Sequence, residues 1–488
     1  MRRATAGLAW TGMALALAMP ARAAVTEEAA AALQRDLRGW VAGLLAPLVA
    51  PESVPLRVLA AGDAYRLEVT AIALSQVNIT YDTPVTAAIR PLDGGRWAIE
   101  DYRMPAMISV ALPQGGAKLF SMAIGQQQAR GVFDPSYRTA SRFEAKLANI
   151  VEEFAGPSGP SITRIGAFDY STTWEPAGEG YIDTADRMRM TGYAATQVMP
   201  DGQEMRITAR EIDATTKGVG INPANAAATV RSLALLAGDL MARPDGVKGD
   251  NPEGPTPGQR QLLHAVLDSM TAVFVRLETE QTWSGLTVAG GAGGGQLDRV
   301  SLASRMAAPG GKAEFGLRLE FSGLQSALIP QGPIRQLIPR RIAVAPRLTG
   351  IAKSEVLAFL GRAIDVAGHD DADLQGEAQE LLSANPATIA LDDLDIDLGI
   401  ARLRGAGELK IAAADDIGGT AELRMTGLDA LLRTLRQVPE AAAAAPVLLM
   451  LKGLGEVSGN ETVWRIEYAD QKVTVNGNDL SGMIPKKK

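Results

Sequence analysis

From Val54 to about Ile212 apolar and polar residues alternate with a period of two, and that period decides the fold class of this stretch. Tyr65, Leu67 and Val69 alternate with Arg66 and Glu68, and Phe143, Ala145 and Leu147 alternate with Arg142, Glu144 and Lys146. Successive side chains of a strand point to opposite faces, so each run has one apolar and one polar side. Turn-forming pairs separate the runs at Asp93-Gly94-Gly95, Gln114-Gly115-Gly116, Gly156-Pro157 and Asp201-Gly202. The pattern predicts an antiparallel meander with one face buried and one wet.

Helical spacing frames this region on both sides. Thr26 can cap a helix that carries Glu27 and Glu28 in its first turn and ends before Pro51. Its apolar stripe, Leu33, Leu37, Trp40, Val41, Leu44, Leu45 and Leu48, must dock on the chain's own sheet, or on a lipid or partner protein, and is the candidate docking face. Asn222 and Pro223 open a second helix through about Met241, and Arg243 to Gly258 reads as a Pro- and Gly-rich loop. Thr256 and Pro257 open a third, with Leu262, Leu263, Val266, Leu267, Met270, Val273, Phe274 and Leu277 on one face. The expected organisation is a signal peptide at 1–23, an N-terminal helix plus β half at 24–220, a helical interval at 221–278, and a second β-rich half at 279–488.

The second half contains a strand–Gly–Leu unit twice. Leu317 to Phe321 alternate and lead through Ser322-Gly323-Leu324 into Gln325-Ser326-Ala327-Leu328. Ala421 to Met425 do the same through Thr426-Gly427-Leu428 into Asp429-Ala430-Leu431-Leu432. In both, glycine lets the chain leave the sheet and leucines hold a short helix against it. Thr462, Trp464, Ile466 and Tyr468 form a late strand, and Asn476-Gly477 is a hairpin turn. The repeated unit, set in a long β-rich chain, resembles the AsmA-like group and related uncharacterised proteobacterial periplasmic families (domains of unknown function), over about Leu317 to Leu435 and in the terminal Trp464 to Gly482. That resemblance implies long curved antiparallel sheets with an apolar inner face that shields lipid, and it carries no catalytic residues. Members usually keep an N-terminal membrane anchor, whereas this sequence reads as losing it.

Export is the reading of the first 23 residues. Arg2 and Arg3 precede an apolar run from Leu8 to Met19, Pro20 breaks it, and Ala21-Arg22-Ala23 is a small-x-small cleavage site. The run is shorter than the roughly 20 apolar residues that span a bilayer, so a cleaved signal and a periplasmic location are expected, with no transmembrane segment afterwards. A lipid anchor would need a cysteine, and the sequence has none. Losing Arg2, Arg3 and Arg22 from the 48 basic residues leaves 45 against 55 acidic ones, a balance that repels nucleic acid. Aromatic residues make up only 5% of the chain, which argues against a glycan-stacking cleft.

The search for chemistry gives no catalytic residue, cofactor site or metal site. His264 lies at the edge of the third helix's apolar stripe with no partner evident in the sequence. His369, in Gly368-His369-Asp370-Asp371-Ala372-Asp373, separates two helix patterns, where an aspartate serves as N-cap. Asp393, Asp395 and Asp397 share one strand face and read as solvated, being spaced nearly 7 Å apart and diverging. Gly290 to Gly295 joins two alternating runs and lacks the helix and lysine of a phosphate loop. The expected fold is α+β and β-dominated, with long curved antiparallel sheets, flanking helices and two β-rich halves. The expected function is a non-enzymatic periplasmic protein that binds a lipid or other apolar ligand or supports envelope assembly, with an envelope protein as partner. The alternatives are an interaction module without ligand and a hydrolase using an unrecognised carboxylate pair.

Overall fold

Among the described residues the two-residue alternation becomes antiparallel strand, and five of the strands are far longer than usual. The computed structural model of the 488-residue chain describes residues 25–45, 51–70, 78–111, 118–156, 159–199, 202–242, 255–270, 273–290, 293–308, 311–367, 374–411 and 416–480. The export segment 1–23, the His369 segment and the terminal lysines lie outside these residues. The fold is α+β and β-dominated, in two units: Met1–Leu277 with Ile364–Asp370, and Glu278–Ala363 with Asp371–Lys488.

In the first unit, α1 (Glu27–Leu45) precedes six short strands: β1 (Leu56–Ala61), β2 (Ala64–Val69), β3 (Asn78–Tyr81), β4 (Val85–Pro91), β5 (Trp97–Arg103) and β6 (Met107–Ala111). Five strands of 17 to 20 residues follow: β7 (Lys118–Asp134), β8 (Thr139–Gly156), β9 (Gly159–Gly178), β10 (Tyr181–Val198) and β11 (Glu204–Ile221). Their spatial order is β1–β2–β4–β5–β7–β8–β9–β10–β11, each pair antiparallel. Strand β7 changes partner midway, pairing first with β6 and then with β5, while β3 pairs with β6. At the changeover the Gln127 amide accepts from Met104 N at 2.7 Å and donates to Met104 O at 2.6 Å. The backbone groups freed between β5 and β6 are thereby satisfied.

Helix α1 starts where Thr26 Oγ1 accepts from Ala29 N at 3.2 Å. Its Ala30, Leu33, Leu37 and Ala42 are buried with Leu56, Tyr65, Leu67, Ile89, Trp97 and Phe133 of the short-stranded sheet. The helix also covers the sheet edge. Gln34 Oε1 accepts from Val58 N at 3.0 Å, and Arg38 donates twice to Leu56 O, at 3.2 and 2.9 Å. These contacts occupy backbone groups of β1 that another strand would otherwise take.

Across the long strands one line of interruption runs through Gly125, Asn149, Gly166 and Gly192. Asn149 and Gly192 have positive φ, 54° and 64°, and a Cβ on Gly125 would lie 2.9 Å from that of Asn149. On either side the buried residues lie three apart instead of two: Leu147 then Ile150 in β8, and Ala209 then Ile212 in β11. In β8 the left-handed Asn149 breaks the pleat, so its apolar set resumes with its phase shifted, and β11 shifts opposite the left-handed Gly192 of β10.

Two helices end the first unit, α2 (Pro223–Ala242) and α3 (Pro257–Met270). Asn222 Oδ1 accepts from Ala224 N and Asn225 N, both at 3.1 Å. Thr256 and Gln259 form a reciprocal cap, with Thr256 N donating to Gln259 Oε1 at 3.0 Å and Gln259 N to Thr256 Oγ1 at 3.4 Å. The third helix stops at Met270, short of the Leu277 expected from apolar spacing, because Arg276 already opens a strand.

The second unit contains β12 (Arg276–Gly290) from Glu278 on, β13 (Gly293–Ala307), β14 (Lys312–Ser322), β15 (Gln325–Ser326), β16 (Arg341–Ala352), α4 (Lys353–Val366) up to Ala363, and α5 (Leu374–Ala384). It continues with β17 (Ala387–Asp397), β18 (Arg402–Ile411), β19 (Ile417–Thr426), α6 (Leu428–Arg436), α7 (Ala445–Leu454), β20 (Glu456–Ser458), β21 (Glu461–Ala469), β22 (Lys472–Val475) and β23 (Asn478–Asp479). Seven of these strands pair antiparallel in the order β13–β14–β16–β17–β18–β19–β21. The two strand–Gly–Leu units share their glycine conformation, φ 69° at Gly323 and 71° at Gly427, and diverge immediately beyond it. After Gly427 comes α6, whereas after Gly323 the chain forms β15 on β13 instead of the expected helix.

The interruption in the long strands can be tested at Asn149. Asn149→Val should destabilise the protein by about 1–2 kcal/mol, since a β-branched side chain resists positive φ, while Asn149→Gly should be neutral or better. Urea midpoints of the two variants would show the contrast.

Candidate functional site

The seven-stranded sheet of the second unit has two chemically opposite faces. The register aligns Val300, Phe321, Ile342, Ile396, Leu403 and Met425 in one row and Leu302, Leu319, Val344, Leu394 and Leu423 in the next row on that face. Further along, Met306, Phe315, Leu348, Ile389 and Leu409 form a third row. On the β19 and β21 side this face is covered. Leu428, Leu431, Leu432 and Leu435 of α6 are buried with Met425, Trp464 and Val475. Toward β13, β14 and β17 the apolar rows are left partly open: Leu302 is 40% exposed, Phe315 45% and Ile389 43%. Full burial of one such side chain stabilises by about 1.5–3 kcal/mol, so these rows leave a part of that unrealised.

The other face is charged. Strand β17 holds one residue more than either neighbour between Leu391 and Leu394, and this bulge turns both Asp392 and Asp393 to the charged side. Asp392 binds Arg347 through two hydrogen bonds, at 2.7 and 2.8 Å, and Asp393 accepts from Arg318 at 2.8 Å. Asp395 is buried, its side chain only 6% exposed. It accepts from Arg341 Nη1 at 2.6 Å and from Arg402 Nε and Nη2 at 2.7 and 2.6 Å, while Arg341 also binds Glu320 at 2.9 and 3.0 Å. The expectation of a solvated aspartate face fails at Asp395, because arginines on the adjoining strands enclose it. The Arg402 hydrogen bonds hold the Asp395 carboxyl below the usual carboxylate range against the opposing cost of burial, and Arg341 does the same for Glu320. A shallow hollow of about 460 Å³ lies on this face, over Ala390, Ala406 and Ala421 and between Arg347, Arg465, Glu408 and Glu467.

The first unit has a smaller hollow, about 290 Å³, beside Phe120, Phe154 and Ile162, with Lys118 and Glu153 paired at 3.1 Å on its rim. Glu152, in the same strand end, has its pKa raised by burial. Of the docking stripe read from the sequence, Leu33 and Leu37 lie in the core between α1 and its own sheet, with Val41 packed partly buried against it. The side chains of Trp40, Leu44 and Leu45 lie outside the described part. His264 does have a partner: its Nε2 lies 2.7 Å from Asp365 Oδ1, across 101 positions of sequence. Gly290 ends one strand and Gly293 begins the next, so no helix follows the glycine run. Among the described residues no three His, Asp or Glu side chains are placed to hold a metal ion. The open apolar rows escaped sequence reading, since each strand shows its own alternation while the register that aligns seven of them is not local.

The Asp395 cluster makes a pH-dependent contribution. Its folded pKa lies below that of the unfolded chain, so the stabilisation is complete above about pH 4 and is lost as the pH falls through the depressed folded value. Asp395→Asn should cost on the order of 2 kcal/mol at pH 7, below the 3–5 kcal/mol of a fully enclosed pair because both arginines still reach solvent. Between pH 7 and pH 3 the urea midpoint should fall further for the parent than for the variant.

No curated protein and no solved structure matches the chain. One family model does, over a stretch that takes in both strand–Gly–Leu units and all seven strands of the two-faced sheet from Gly293 onward. Residues 259–476, somewhat less than half of the chain, match the family described as "Uncharacterized protein conserved in bacteria (DUF2125)", and over that stretch the resemblance to bacterial families without an assigned function holds.

Proposed function

We propose that this protein is a non-enzymatic component of the bacterial periplasm that binds a lipid or another apolar ligand on the open apolar rows of its seven-stranded sheet, and that it serves envelope assembly in that way. The observation that carries the reading is the partial exposure of Leu302, Phe315 and Ile389 on one otherwise continuous apolar face. A surface of aligned aliphatic and aromatic side chains favours acyl chains over polar ligands, since it offers contact area and no hydrogen-bonding groups. The location rests on the signal-like first 23 residues. No helix among the described residues is long and apolar enough to cross a membrane. The carboxylates at Asp392, Asp395 and Glu320 are held ionised by arginines, the opposite of the raised pKa that a general acid needs.

Incubation of the purified protein with envelope lipid extract, followed by native mass spectrometry, tests the reading. Lipid adducts are expected on the parent, and a Leu302→Asp, Phe315→Asp double variant should carry them at about tenfold lower occupancy or less. Apo mass alone across several lipid classes would sink the carrier reading, and recovery of a stoichiometric protein partner by crosslinking on that face would favour an interaction module instead.

A further inference from the structure

At one end of the long-stranded sheet a carboxylate stands alone among apolar rows. In β7, β8 and β9 the register sets Met122, Glu152 and Thr163 side by side. The next row toward the sheet centre is Ile124, Ile150 and Ile165, all buried, and the next toward the sheet end is Phe120, Phe154 and Ser161. Glu152 is the one ionisable side chain in these three rows. It is half-buried, and among the described residues no hydrogen bond or ion pair reaches it. Burial alone, with no neighbouring charge contributing, raises its pKa. Elsewhere Glu144, Glu320, Asp392 and Asp395 are each matched by an arginine.

A carboxylate held away from water without a partner is costly, and an arriving cation offsets that cost. The hollow of about 290 Å³ shares Phe120, Phe154 and Ser161 with these rows, and Phe154 is 44% exposed, so the place is open to solvent. Its volume is close to the lower limit of small-ligand pockets, roughly 300 Å³. The two charges on its rim, Lys118 and Glu153, are paired with each other at 3.1 Å, which leaves Glu152 to set the sign of the occupant. An anion is repelled there, and a neutral apolar molecule leaves the carboxylate unmatched. A metal ion would need several more oxygen ligands, and among the described residues no three such side chains converge. Phe120 and Phe154, directly opposite each other on adjacent strands, favour a cation as well, through the negative faces of their rings. We propose that this strand end is a binding site for a small amphipathic amine: its ammonium group pairs with the Glu152 carboxylate while its apolar body lies over Phe120 and Phe154 in the hollow. The site belongs to the first unit and does not rest on ligand binding to the seven-stranded sheet of the second.

Isothermal titration of the full chain at pH 7 with n-octylamine, n-octanol and n-octanoate tests this. Octylamine is expected to bind saturably, and octanol and octanoate about tenfold more weakly or less. Glu152→Gln should lower octylamine affinity by about tenfold. The urea midpoint of that variant at pH 7 should equal or exceed the parent's, because it removes a carboxylate that folding desolvates, so lost binding is not lost folding. Phe154→Ala, at an exposed position, should weaken octylamine by about threefold. The Leu302→Asp, Phe315→Asp variant should bind octylamine like the parent, which separates this site from the ligand reading above. Equal binding of octylamine and octanol, unchanged octylamine affinity in Glu152→Gln, or octylamine binding that only the Leu302→Asp, Phe315→Asp variant removes would overturn the proposal.

Discussion

A strand commits every second side chain to one face of its sheet, and in strands of 17 to 20 residues that commitment extends over roughly 60 Å. Such a sheet presents more apolar surface than a few helices can cover. In the first unit α1 seals the short-stranded portion, with Leu33, Leu37 and Phe133 among its fully buried side chains. In the second, α6 seals one end of a seven-strand face and leaves the other partly open. The architecture reflects this imbalance between sheet and helix.

The polar faces meet the converse problem of keeping a broad sheet soluble without mispairing. Cross-strand ion pairs answer it: Arg187 with Asp213 and Arg189 with Glu211 between β10 and β11, and Arg130 with Glu144 between β7 and β8. Hydrogen bonds from Arg142 and then Arg130 hold the Glu144 carboxyl down to about 2. Pairs this exposed add little stability one by one. Their sign pattern nevertheless opposes a one-residue slip, which would bring like charges and apolar side chains to the wrong places. At Asp395 the same device is drawn into the sheet and becomes a buried charge that its arginines must match.

Much of this was legible in the residues. The alternation of Phe143, Ala145 and Leu147 with charged neighbours, the Thr26, Asn222 and Thr256 caps, and the Asn476-Gly477 turn all depend on neighbours within a few positions. The failures share the opposite cause. Asp395 looked solvated because Arg341 and Arg402 lie on other strands, and His264 looked solitary because Asp365 is 101 positions away. Apolar spacing alone does not show where a helix ends at Val273 to Leu277, where the chain turns and β12 opens at Arg276. The first strand–Gly–Leu unit misled for a related reason: its Gln325-Ser326 found an edge on β13, and pairing there replaced the helix.

Strand β7 has a further consequence, for the kinds of change the gene can absorb. It pairs with β8 along its length, in one register up to a bulge at Val132–Phe133, and with β6 and β5 in two others along its opposite edge. A deletion within an ordinary strand can be absorbed by one sliding neighbour or a shortened turn. In β7 a lost residue near Gln127 would have to be absorbed on both edges at once, and the Gln127–Met104 clasp allows no slack. Length variation among natural versions of this protein should therefore gather in the turns around β7 and spare the strand itself.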